Sequence, residues 1–134
     1  MSIWPEPSAG EIVWCYFPDH IQRKPKPRPA LILTVKLDND GLIFVNVAYG
    51  TSQKVNTLFS GEFRIAKGEN PAAYETAGLS FDTKFNLQSV LELPFDDNYF
   101  SVPPHAPYGQ IPKLGMLHPS LVKVAATAYA EVNA

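Results

Sequence analysis

A group of basic residues between prolines is the first feature of this sequence that could perform chemistry. Four of its eleven basic residues fall between positions 23 and 28: Arg23, Lys24, Lys26 and Arg28. Prolines alternate with the last of them, so this segment should be stiff and extended. Cations held on a stiff backbone lose less conformational entropy when they meet phosphate groups. The pattern predicts a polyanion site, and a solvated loop whose charges aid solubility is the alternative.

A run of hydrogen-bonding side chains forms the second such feature. It consists of Thr51, Ser52, Gln53 and Lys54, directly after a predicted strand. Hydroxyl, amide and ammonium groups in succession can bind phosphate oxygens or the edges of bases. The alternative is a turn in which the hydroxyls bond only to their own backbone.

A predicted hairpin brings these two features together. Residues 30–37 and 42–49 are rich in β-branched and aromatic residues, and a polar turn that ends in Gly41 separates them. Arg28 and Thr51 then lie at the two open ends of the hairpin. We therefore expect them to be neighbours across the ladder and within reach of one ligand.

The other residue types that serve as nucleophiles or ligands give weaker signals. The sequence has no phosphate-binding glycine loop, no dinucleotide motif and no helical pair of metal ligands. Its histidines, His20, His105 and His118, are scattered near prolines and are predicted to be surface residues. Cys15 lies among large apolar residues, so we expect a buried, inert thiol.

The elements that must position these residues are mostly short strands. Thirteen prolines and eight glycines break the chain at short intervals, which favours strands over a helical bundle. Strands are predicted at 11–17, 30–37, 42–49, 62–66, 81–93 and 113–117, with one helical turn at 71–74 and a loop at 94–112. A C-terminal helix begins at Pro119, with an apolar stripe of Leu121, Val124, Ala125, Ala128 and Val132. The fold class is therefore mainly β: a small β-barrel, one end of which the C-terminal α-helix closes.

Composition limits the class of protein. The chain has 134 residues, of which 46% are hydrophobic, and its net charge is −2. We expect one domain spanning residues 1–134, with no membrane span and no secretory leader, in the cytoplasm. One cysteine excludes an intrachain disulfide and a thiolate zinc cluster. The net charge argues against a strongly basic nucleic-acid coat but leaves room for a local basic groove.

Several segments resemble the MazF/PemK (Kid) toxins of bacterial toxin–antitoxin systems. The opening Gly-Glu-Ile-Val-Trp at 10–14, followed by Arg-Pro-Ala at 28–30 and an apolar strand, is similar to the start of that family. Val-Ala-Tyr-Gly-Thr-Ser-Gln-Lys at 47–54 is similar to the end of its third strand. Gly-Leu at 78–79 and the strand after it resemble a later family segment.

The resemblance implies an SH3-like β-barrel that forms a homodimer, uses no cofactor and is inhibited by a cognate antitoxin protein. It implies metal-independent endoribonuclease activity on single-stranded RNA, by attack of a 2′-hydroxyl on the adjacent phosphorus. Arg28 matches the catalytic arginine of the family and Thr51 its catalytic threonine or serine. Ser52, Gln53 and Lys54 would lie along the RNA path, and the basic residues Arg23, Lys24 and Lys26 would bind RNA as well.

The sequence leaves two questions open: which residue is the general base, and whether the protein is an enzyme at all. His20 and Asp82 are both candidates for the base, because the register of the strand near Asp82 is uncertain by one residue. A non-catalytic barrel that binds a protein or nucleic acid is the alternative function, since one fold hosts several functions. The loop at 94–112 could cover the groove or add a dimer contact.

Overall fold

The computed structural model describes residues 4–17 and 26–133. Six strands are seen: β1 (Glu11–Cys15), β2 (Arg28–Leu37), β3 (Ile43–Thr51), β4 (Glu62–Ile65), β5 (Thr83–Pro94) and β6 (Lys113–Met116). Helix α1 (Pro71–Ala77) lies between β4 and β5, and a 3-10 turn (Pro119–Leu121) leads into helix α2 (Val122–Val132). In the ranges that the structure describes, no helix is long and apolar enough to cross a membrane.

All six strands belong to one antiparallel sheet in the order β4-β5-β3-β2-β1-β6. The sheet curls into a half-barrel, and α2 packs against β4 and β5. The predicted class, a small mainly β barrel with a C-terminal helix, is confirmed.

Helix α1 packs closely against edge strand β6, and two glycines allow this approach. A Cβ atom on Gly78 would overlap the backbone of Leu114, and one on Gly115 would lie 2.6 Å from the Ala77 carbonyl oxygen. Gly78 also adopts φ +70°, the left-handed conformation that ends α1. The two glycines therefore let α1 lie directly against β6, one edge of the sheet.

The sheet has a hydrophobic core on each face. Ile12 of β1 packs in the core beneath α1 and α2, together with Phe63, Phe85 and Leu87. Val13 and Cys15 of the same strand pack in the other core. Because successive residues of a strand point to opposite faces, a central strand with two covered faces is apolar throughout.

The predicted hairpin of β2 and β3 is present. The Asp38 carboxylate accepts from the backbone amides of Asp40 and Leu42, each at 2.9 Å, and Gly41 adopts φ +80°. The ladder continues from Leu37↔Ile43 to Ala30↔Tyr49, with one irregularity between Ile32 and Thr34.

Three predicted elements differ in detail from the observed ones. Strand β5 begins at Thr83 rather than at residue 81, and its pairing with β3 jumps from Ala48↔Val90 to Tyr49↔Asn86, so its side chains do not alternate regularly between the two faces. The extra residues send Leu87 and Leu93 into different cores. In α2 the stripe is narrower than predicted, since Ala125 and Ala128 are buried and Val124 is exposed. Helix α1 extends beyond the single turn predicted at 71–74.

Residues 95–112 complete the second core. Phe95 and Phe100 are buried there, with ring centroids 5.0 Å apart. The chain then runs beside β1, where the Tyr16 amide donates to the Tyr99 carbonyl (2.7 Å) and the Ser101 amide to that of Trp14 (3.1 Å). This segment is thus a structural part of the fold.

Cys15 is predicted to resist thiol reagents in the folded protein. It is fully buried, and burial raises the pKa of its thiol to about 12 from an ordinary value of 9.0. Because the folded pKa is the higher one, this group leaves stability unchanged below about pH 9 and lowers it as the pH rises towards 12. A disulfide reagent at about pH 8 should label denatured protein only; labelling of the folded protein at the rate of a free thiol would contradict this.

Candidate nucleic-acid interface

Arg28 begins β2 and is held over an aromatic ring. It pairs with Cys15 of β1, and its guanidinium carbon lies 5.9 Å from the centroid of the Tyr49 ring. Phe17 packs edge-on against Tyr49, with ring centroids 4.5 Å apart. The aromatic pair therefore orients the Arg28 side chain, because a cation is attracted to the face of a ring.

Thr51 is set opposite Arg28 by the register of the hairpin. Ala30 pairs with Tyr49, and the same antiparallel register carried two residues further places Arg28 across from Thr51. Cross-strand partners point to the same face of a sheet. Thr51 Oγ1 accepts from the Gln53 amide (3.1 Å), so its hydroxyl hydrogen can still be donated to a ligand.

The same row continues across two further strands. Thr51 pairs with Lys84 of β5, and Lys84 pairs with Arg64 of β4. One face of the sheet thus carries Arg28, Thr51, Lys84 and Arg64 in cross-strand order.

Both distal cations of this row serve the structure. The Lys84 ammonium is buried and donates to Glu62 Oε1 and to the Thr57 carbonyl, each at 2.9 Å. Arg64 pairs with Glu69 (2.9 Å) and donates to the Val55 carbonyl (3.1 Å). These bonds hold residues 55–57 against the sheet.

The Arg64–Glu69 pair also changes the ionisation of its members. Its hydrogen bond and charge attraction raise the pKa of Arg64 and lower the pKa of the Glu69 carboxyl. Both groups therefore stay charged and paired at neutral pH.

Arg28 differs from these two cations in its surroundings. Within residues 4–17 and 26–133, no carboxylate pairs with Arg28, and the ion pairs present there are Lys36–Glu92, Arg64–Glu69 and Lys84–Glu62. A guanidinium that is oriented but not neutralised is suited to bind an incoming phosphate.

A cavity of about 570 Å³ opens beside Arg28, at the ends of the same strands. Its lining includes Lys26, Pro29 and Trp14, and Ser52 and Thr83 contribute hydroxyl groups. The segment 103–107 supplies a further wall, which consists of Pro103, Pro104, His105 and Pro107. The cavity lies in the size range of about 300–1,000 Å³ that is usual for small-molecule sites.

Most of the predicted binding residues that the structure describes lie at this end of the sheet. Lys26, Arg28 and Ser52 line the cavity, whereas Gln53 and Lys54 are exposed in the turn that follows Thr51. Thr51 is not a lining residue of the cavity: it lies between Gly50 and Ser52, which do line it, and belongs to the row described above. Arg23, Lys24 and His20 lie outside the described residues.

Asp82, a predicted candidate for the general base, makes a structural hydrogen bond. Its carboxylate accepts from the Lys67 amide (2.9 Å) in the turn before α1. Its neighbours Phe81 and Thr83 line the cavity, and Asp82 is not part of the described lining.

Sequence reasoning missed several residues near this site. Tyr49 is one of them, because its register opposite Ala30 places its ring beside Arg28. His105 is exposed, as predicted, but it also lines the cavity, and nothing in the local sequence brings it near Arg28, 77 positions earlier. Grouped His, Cys, Asp or Glu side chains that could hold a metal ion are not found in residues 4–17 and 26–133.

Comparison with protein families identifies the class of protein. The family described as PemK-like, MazF-like toxin of type II toxin–antitoxin system matches residues 8–93. The chain therefore belongs to the PemK/MazF-like toxin family, and this membership implies a cognate antitoxin as its partner. A search of curated proteins found no match.

Proposed function

We propose that this protein is an endoribonuclease toxin that cleaves single-stranded RNA without a metal ion. One observation carries the proposal: Arg28 lies over the Tyr49 ring and lacks a carboxylate partner in the described chain. Extending the Ala30↔Tyr49 register by two residues places the Thr51 hydroxyl across from it. Family membership supports the same reading.

The reaction is an internal transfer of a phosphodiester. The 2′-oxygen of RNA loses its proton to a base and forms a bond to the adjacent phosphorus. The bond from phosphorus to the 5′-oxygen breaks, and that oxygen takes up a proton. The products are a 2′,3′-cyclic phosphate and a 5′-hydroxyl, so no atom from water or a cofactor is needed.

Arg28 and Thr51 divide the work on the phosphate. The Arg28 guanidinium stabilises the negative charge that grows on the phosphoryl oxygens in the transition state. The Thr51 hydroxyl donates a hydrogen bond to one of those oxygens. Both groups are held by strands, so little reorganisation is needed when charge develops.

The proton transfers have three candidate groups. His20 and Asp82 remain candidates from the sequence, and His105 is added because it lines the same cavity as Arg28. An imidazole changes protonation near neutral pH, which suits it to general acid–base catalysis.

The remaining proposals concern binding and assembly. Arg23, Lys24 and Lys26 would attract the RNA backbone, while Ser52, Gln53 and Lys54 would contact it beyond the cut. We further propose a cytoplasmic homodimer whose antitoxin covers the Arg28 site.

A direct assay separates this function from its alternative. Purified protein is incubated with a mixture of single-stranded RNAs in excess EDTA, and the products are sequenced. Discrete cuts at recurrent short sequences support the enzyme. Intact RNA that is nevertheless retained by the protein would overturn it and favour a non-catalytic binding barrel.

A further inference from the structure

Phe81 is an exposed aromatic ring at the cavity. It leaves 70% of its surface in solvent and lines the cavity together with Thr83, two residues further along. Ligand pockets are commonly lined by aromatic side chains, so a ligand in this cavity can cover the ring. The covering ligand should present a flat apolar face.

The remaining walls of the cavity suit such a ligand. The lining includes Trp14 and several prolines, among them Pro29, Pro103 and Pro104. Ser52 and His105 add hydrogen-bonding groups that could meet the polar edge of an aromatic heterocycle. The volume of about 570 Å³ is sufficient for a single nucleobase with part of its sugar.

The charged side chains that line the cavity are all positive. Its lining contains Lys26 and Arg28 and, among the described residues, no Asp or Glu, although the whole chain has two more acidic than basic residues. An anion attached to a flat ring fits this arrangement. A nucleotide has this chemistry.

We propose that the cavity is a nucleobase subsite, in which one base next to the cleaved phosphodiester leaves the RNA stack and stacks on Phe81. The proposal rests on the proposed RNA cleavage and assigns part of its sequence selectivity. Single-stranded RNA is commonly read in this way, by splayed bases on aromatic side chains.

The wall formed by residues of the segment 103–107 distinguishes this subsite from the part of the chain that the family shares. These residues lie beyond the segment 8–93 that the family matches. Ala106 adopts φ +41°, a strained conformation for a residue with a side chain, and its amide donates to the Pro103 carbonyl (2.9 Å). This turn holds His105 beside the cavity, where its imidazole can select the base edge.

The first arm of the test measures sequence preference. Phe81→Ala is compared with Phe59→Ala, a matched control that removes another exposed phenylalanine (62%) outside the cavity lining. With a randomised RNA library, Phe81→Ala should lower kcat/KM roughly 5- to 150-fold, the effect of losing one stacked base. It should also flatten the base preference at one position beside the cut. Phe81→Tyr should restore both, and Phe59→Ala should change neither.

The second arm measures binding without cleavage. In a Trp4→Phe background, Trp14 is the remaining tryptophan and reports on the cavity. A 2′-O-methyl RNA oligonucleotide, which lacks the attacking hydroxyl, should change its fluorescence, and Phe81→Ala should weaken that binding by the same factor.

The outcomes distinguish the subsite from the enzyme. Cleavage with unchanged base preference and unchanged oligonucleotide affinity in Phe81→Ala would overturn the subsite and leave the ribonuclease standing. Binding that depends on Phe81, without cleavage of ordinary RNA, would support the subsite and reject the ribonuclease. If Trp14 fluorescence does not change with 2′-O-methyl oligonucleotides of any base composition, the subsite proposal is also overturned. A protein segment would then be the expected occupant of the cavity.

Discussion

Replacing Arg28 with alanine should slow RNA cleavage by about 10²- to 10⁴-fold, the usual loss for one charge-stabilising or acid–base group. The reason is that the guanidinium supplies positive charge where the phosphorane develops negative charge. The melting temperature should change little, because the contact with Tyr49, at a half-buried site, contributes about 0.5–2 kcal/mol. Single-turnover cleavage and thermal melting measure the two effects separately.

Lys36→Ala is the matched control for Arg28→Ala. Lys36 lies on the same strand and pairs with Glu92 at 3.1 Å, so its loss removes one positive charge far from the site. An exposed pair of this kind contributes about 0–1 kcal/mol, and we expect nearly normal cleavage. Equal rates for Arg28→Ala and Lys36→Ala would remove Arg28 from the mechanism.

The Thr51→Val variant should lose about 10²- to 10³-fold in rate. Valine keeps the shape of threonine, so the strand and its pairing with Lys84 remain while the hydrogen-bond donor is lost. The variant also loses the acceptor for the Gln53 amide, which should lower stability by about 0.5–1.5 kcal/mol. Rates at substrate saturation, measured well below the melting temperature, separate the two losses.

Two variants control for Thr51→Val. Thr51→Ser keeps the hydroxyl and should stay within a few-fold of the wild-type rate. Thr34→Val removes a strand hydroxyl on β2 that bonds to Asn46 (2.6 Å), away from the site, and should leave cleavage unchanged. A Thr51→Val protein as fast as these controls would show that its hydroxyl does not contact the reacting phosphate.

The part of the site that the sequence could predict depends on local pairing. The register at the turn, Leu37↔Ile43, would by itself set Arg28 across from Ser52, and the irregularity between Ile32 and Thr34 shifts the pairing by one residue so that Thr51 lies there. The turn at 38–41 determines that β2 and β3 form a hairpin, whose open end brings Arg28 to the end of β3. Such information is carried by contiguous residues, since alternation and turn chemistry act over a few positions.

The remaining part depends on contacts between distant segments. Neither the jump in pairing between β3 and β5 nor the position of residues 103–107 follows from local propensity. The cavity wall exists because Phe95 and Phe100 are buried in the second core and the chain then runs beside β1. His105 and Phe81 therefore come to line the same cavity only through contacts between distant segments of the folded chain.

The number of basic residues in the sequence also does not show which of them are free to bind a phosphate. Lys84 and Arg64 share the row of Arg28, yet carboxylates from β4 and the following turn neutralise both. A basic residue is available to RNA only when the fold leaves it without such a partner. The structure thus directs attention to Arg28 on that face.

The most direct test of the central claim uses one RNA oligonucleotide that contains a preferred cut site, and its twin with a single 2′-deoxy nucleotide before that cut. In EDTA the protein should cleave the first to a 2′,3′-cyclic phosphate and a 5′-hydroxyl, and it should leave the second intact. Cleavage of the 2′-deoxy twin, or products that carry a 5′-phosphate, would contradict attack by the neighbouring 2′-oxygen.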